Sequence, residues 1–172
     1  MSKFITYIQL RAARHTLNLG VRDVAKILKV SKATISKTEL GKTRDFLYKH
    51  SAALIEFFEH NNIIFPNEHS IRYIDARNTA KKIDQGENML TRFQLKAARH
   101  ILNINQNELA NLVKIDKGII TRAEQLSNEE YIRPQDQSVI LKFKTLFQQY
   151  NIEFSDHLSI FFKKYVDNKS NK

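Results

Sequence analysis

The chain has 172 residues, 42% of them apolar and none of them cysteine, and its Lys and Arg outnumber its Asp and Glu to give a formal charge of +10. Without cysteine there is no disulfide, thiolate zinc site or cysteine nucleophile, and no run approaches the roughly 18 consecutive apolar residues of a membrane span. The basic surplus creates a field that attracts phosphate backbones or anionic lipid; the opening MSKFITYIQL lacks the apolar core of a signal peptide, so the expected location is cytoplasmic.

Phe4, Ile5, Ile8, Ala12 and Leu17 recur at helical spacing and predict a first helix over about 4–18, ended by Asn18, Leu19 and Gly20. Val21 to Gly41 then reads as a helix-turn-helix. Its first segment carries Val24, Ala25, Ile27 and Leu28, its second carries Ala33 and Ile35 among polar and basic residues, and Lys29-Val30-Ser31 forms the break. Ala25 is small enough for two helices to cross closely, Ser31 can accept from the free NH groups of the second helix, and Ile35 falls on the inner face. Phe46, Leu47, His50, Leu54, Ile55 and Phe58 predict a closing helix to about residue 60. Two short apolar runs, Ile63 to Phe65 and Ile71 to Ile74, flank Pro66-Asn67-Glu68 and predict a small β-hairpin. Residues 75–91 have balanced charge, a Gly86 and no strong period, and read as a linker.

After the linker the chain repeats itself. QLRAARHTLN at Gln9 to Asn18 returns as QLKAARHILN at Gln94 to Asn103, 85 positions later, and the match runs ungapped through Glu39 and Glu124. Ala25 aligns with Ala110, Lys29 with Lys114, Lys32 with Lys117 and Ile35 with Ile120. A longer acidic turn, Ser127 to Pro134, shifts the register by four, after which Phe65 aligns with Phe154 and Ser70-Ile71 with Ser159-Ile160. The predicted organisation is therefore a first domain over 1–74, the linker over 75–91, a second domain over 92–166, each ending in a short hairpin, and a polar tail over 167–172.

Leu10-Arg11-Ala12-Ala13-Arg14, Asp23-Val24-Ala25, Ser31 to Ser36 and Glu39 to Thr43, with Asn105 to Ala110 and Glu124 in the second copy, resemble the Cro and phage-repressor (XRE-type) helix-turn-helix family. The resemblance implies a mainly α fold of two tandem lambda-repressor-like domains, whose recognition helices, 31–40 and 116–126, enter the DNA major groove. It places Lys32, Ala33, Ser36 and Lys37 of copy one, and Lys117, Gly118, Thr121 and Arg122 of copy two, at base edges. Many members donate to a phosphate from a Gln where Val21 stands; Gln106 keeps that group, and in copy one Arg22 stands beside Val21. Lys42 and Arg44 add positive charge around the first recognition helix. The family also implies two architectural ion pairs, Arg14 with Glu39 and Arg99 with Glu124. The neighbouring His15 and His100 lack the clustered ligands a metal needs, and read as packed or capping residues.

Copy one is the more basic, since copy two sets Asp116, Glu124, Glu129 and Glu130 against Lys114, Lys117 and Arg122. Gly118 weakens the second recognition helix by roughly 1 kcal/mol relative to Ala, and Ile119 reads as exposed. The expected function is a sequence-specific regulator of transcription that binds double-stranded DNA, with its two units reading half-sites about 10 base pairs apart within one chain or across a homodimer. The alternative is an antitoxin-like or anti-repressor protein whose second domain mediates dimerisation or partner binding. No phosphate-cradling glycine loop, nucleophile motif or unpaired carboxylate pair suggests an enzyme, no cofactor or metal is expected, and the pattern does not identify a small-molecule effector.

Overall fold

The computed structural model describes residues 4–75 and 89–163. Among them the chain forms α1 (Tyr7–Thr16), α2 (Val21–Ile27), α3 (Lys32–Glu39), α4 (Arg44–His60), β1 (Ile63–Ile64) and β2 (Ser70–Tyr73), and then α5 (Arg92–Ile101), α6 (Gln106–Val113), α7 (Lys117–Ala123), α8 (Ser138–Gln149), β3 (Ile152–Asp156) and β4 (Ser159–Phe162). It is mainly helical, with one small antiparallel sheet. Most of the segment read as a linker, and the polar tail, lie outside the described residues.

The order of elements recurs because the local signals recur. Thr6 and Thr91 each cap a helix by accepting from the backbone NH of Gln9 or Gln94, whose side chain accepts in return from the cap's NH. Left-handed backbone falls at Asn18 and Asn103, at Lys29 and Lys114, and at Asn62 and Asn151, which are equivalent positions in the two copies. Asn tolerates that conformation because its short amide bonds locally; Lys does not, and is held there by the turn it closes.

The two copies share one core. Ala12, Ala13, Ala97 and Ala98 have no exposed surface, and α1 packs directly on α5 at these small side chains. Around that crossing the buried set runs continuously from Leu10, Ile35 and Phe58 to Leu95, Ile120, Phe143 and Phe147. Each copy ends in the expected hairpin, β1–β2 and β3–β4, and in a sheet of order β1-β2-β4-β3 the two join edge to edge through β2 and β4, with Ile71 opposite Ile160. This joining satisfies strand edges that would otherwise lie open. Leu90 and Thr91, at the end of the segment read as linker, are fully buried. Thr91 bridges to Tyr131 and the NH of Ile132 donates to the Leu90 carbonyl, so the turn from Ser127 to Pro134 is pinned by the incoming chain and is not a solvated loop.

Candidate nucleic-acid interface

Ser31 accepts from the backbone NH of Thr34 at 3.1 Å and starts α3, whose inner face buries Ile35, Thr38 and Glu39. The same 3.6-residue period turns Lys32, Ala33 and Lys37 outward, with Ser36 half-buried between them. Arg22, Lys29 and Lys42 are exposed nearby in the chain, while the side chain of Arg44 lies outside the described residues. Gly41 ends the segment at φ +74°, and a Cβ there would also meet the Tyr7 ring at 3.4 Å.

Glu39, the sole carboxylate of α3, is taken out of this surface. Arg14 grips it bidentately, Nε to Oε1 at 2.6 Å and Nη2 to Oε2 at 2.8 Å, and donates from Nη1 to the Leu19 carbonyl. Arg99 repeats the grip on Glu124 at the same two distances and donates to the Ile104 carbonyl. Each arginine thus ties a first helix, the loop after it and the end of a third helix together.

In the second copy Lys117 and Arg122 are exposed and Gly118 and Thr121 are half-buried. Gly118 has a local reason: its NH donates to Asp116 Oδ1 at 2.7 Å, and a Cβ would lie 2.6 Å from that same oxygen. Gln106 does not stand free as a phosphate donor. Its Nε2 donates to Glu124 at 2.9 Å, and its Oε1 accepts from Thr121 at 3.1 Å. Ile119, expected to be exposed, is half-buried against the core and lines an open groove with Leu126 and Tyr131. Leu126 and the pinned turn line that groove beside it, which sequence periodicity within α7 does not reveal.

Several residues that build this arrangement escaped the sequence reading. Gln9 lies under the first hairpin and donates to the carbonyls of Asn67 and Ser70 at 2.7 and 2.9 Å; Gln94 donates to those of Asp156 and Ser159. Their recurrence within the repeated decapeptide was the signal. Between the copies, Arg11 donates to the carbonyls of His100 and Ile101 at 2.8 and 3.1 Å, Arg92 to that of Thr16 at 2.6 Å, and Lys96 to Asn18. His15 and His100 stack face to face, with ring centroids 3.4 Å apart and planes within 6°. Burial, and then Arg14, Arg99, Lys96 and Arg11, push His15 down to about 3. Burial, followed by Arg99 and His15, pushes His100 far below its ordinary value, and burial and Arg92 bring Lys96 down to about 8. Both imidazoles are neutral at pH 7, which is what allows two of them to lie against each other among so many cations.

Against known protein families, curated proteins and solved structures alike, the chain finds no significant match. Among the described residues no helix is long and apolar enough to cross a membrane.

Proposed function

We propose that this chain is a sequence-specific regulator of transcription that binds double-stranded DNA, built from two tandem helix-turn-helix units of the lambda-repressor-like, XRE type that it resembles. The observation that carries the reading is the outer face of α3. A short capped helix, joined to α2 by a tight left-handed turn at Lys29, presents Lys32, Ala33 and Lys37 to solvent while its only carboxylate is bound from behind by Arg14. Such a surface offers donors for guanine O6 and N7, a methyl-sized contact for thymine, and no competing negative charge. On this reading α7 presents Lys117, Gly118, Thr121 and Arg122 to a second stretch of bases, and Arg22 and Lys42 bear on phosphates.

The rival reading, a protein-interaction module, drew on exposed apolar residues of the second copy; Ile119 among them is half-buried against the core, while Leu112 and Leu141 are exposed. The test is a titration of the chain against duplexes from its own promoter region, followed by anisotropy at several salt concentrations. Lys32→Ala with Lys37→Ala is expected to weaken specific binding by roughly 2–6 kcal/mol and to lower the salt slope, with an unchanged circular dichroism spectrum. Unchanged affinity in that variant rejects α3 as the reader.

A further inference from the structure

We infer that one chain reads one complete operator, made of two half-sites in inverted orientation whose sequences differ. The inference rests on the DNA-binding reading and adds to it the architecture of the DNA. Its basis is that the contacts between the copies join residues to their own equivalents. His15 stacks on His100, which is the same position 85 residues on, and Ile71 pairs with Ile160, the same position of the second hairpin. Around that pair the register is reciprocal: Ser70 faces Phe161 and Arg72 faces Ser159, so the residue before the centre in each copy meets the residue after it in the other. The polar contacts exchange in the same way. Arg11 reaches the C-terminal end of α5, and its equivalent Lys96 reaches Asn18 at the C-terminal end of α1.

Reciprocal contact of like with like is the mark of a two-fold axis, whereas a translational repeat would bring each residue against an unrelated one. The axis here passes through the α1–α5 crossing and the β2–β4 pair, and it relates α3 to α7 by a half-turn. A duplex read by helices so related presents its two half-sites inverted, because protein symmetry is mirrored in operator symmetry. The symmetry ends at the reading surface. Ala33 faces Gly118, Ser36 faces Thr121 and Lys37 faces Arg122 in the equivalence, so the half-sites are two different sequences. The surfaces that meet across the axis are consumed inside one chain, since α1 is covered by α5 and β2 by β4. A second copy is not needed to complete the axis.

The experiment is selection of random-sequence duplexes, long enough to span two major grooves, by the full-length chain, followed by sedimentation of the chain on the selected duplex. The expected result is two unlike blocks in inverted orientation at one fixed spacing, with one chain per duplex. Inserting half a helical turn between the blocks should lower affinity at least about tenfold, because the shared core and sheet hold α3 and α7 rigidly. In Lys32→Ala with Lys37→Ala, scrambling one block should cease to matter while scrambling the other still costs affinity; Lys117→Ala with Arg122→Ala should show the converse. Direct repeats, a single block, or a palindrome carrying two chains overturns the inference and leaves the DNA-binding reading standing. Failure to enrich or bind any duplex overturns both.

Discussion

Beneath α3 and α7 the two copies are the same device, and on their outer faces they are not. In each, an arginine of the first helix holds a glutamate at the end of the third helix with the same two bonds, 2.6 and 2.8 Å. Outside, the second copy has Gln106, Thr121 and Glu124 bonded to one another, while in the first copy Val21 stands at the position of Gln106 and has no side-chain polar group to offer. A group already bonded within the protein must exchange that bond when it meets DNA and gains little, whereas an exposed lysine brings its charge unspent. On the DNA-binding reading proposed above, the exposed Lys32 and Lys37 of the first copy are therefore expected to contribute more affinity than Gln106 of the second.

The comparison breaks first at the ion pairs. Arg14→Ala should destabilise the chain by about 3–5 kcal/mol, because it strips the buried Glu39 of its cation, and Arg99→Ala should cost less, because Gln106 still donates to Glu124. Both variants should unfold in a single urea transition, since the core is continuous; two separated transitions would show that the copies fold independently. Acid is the next largest perturbation. A histidine whose folded value is lowered contributes stability that is fully present above its unfolded value of 6.5 and is lost as pH falls through the folded value, about 3 for His15. Chemical denaturation should therefore report falling stability from pH 6.5 downward, and His15→Phe with His100→Phe should flatten the upper part of that decline, above the pH range where carboxylates protonate.

Smaller effects sharpen the likeness between the hairpins. Gln9→Ala leaves two hairpin carbonyls without their donor and should cost about 1–3 kcal/mol. Gln94→Ala should cost less, since one of its two contacts, to Ser159, is a long 3.4 Å. Urea midpoints of the two variants check the order. Smallest, Lys29→Gly and Lys114→Gly should each raise the thermal midpoint, by a gain of up to about 1 kcal/mol, because glycine adopts the left-handed turn without the Cβ penalty. A lowered midpoint in either would mean that the lysine stem contributes packing of its own.

Much of the framework was legible because it is local. The helix of α3 follows from Ser31 and the spacing of Ile35, and the equivalence of the copies follows from a repeated decapeptide. Ile119 was misjudged because helical spacing within α7 does not show the pinned turn beyond it, and the bonds of Gln106 to Glu124 and Thr121 were not visible because a side chain's partners across two helices are not written in its neighbours. Gln9 was visible as a repeated residue but not as a support, since its partners lie some sixty residues away.

By itself the sequence determined what each copy is made of: caps, turns, apolar periods, a basic outer face and an arginine matched to a glutamate, all set by neighbours within a few residues or by internal repetition. Only the tertiary structure decided how the copies stand to each other. That relation depends on alanines small enough to let α1 and α5 touch, on histidines kept neutral by burial, and on two strand edges meeting at Ile71 and Ile160. These are contacts between distant parts of the chain, and no period along it encodes them.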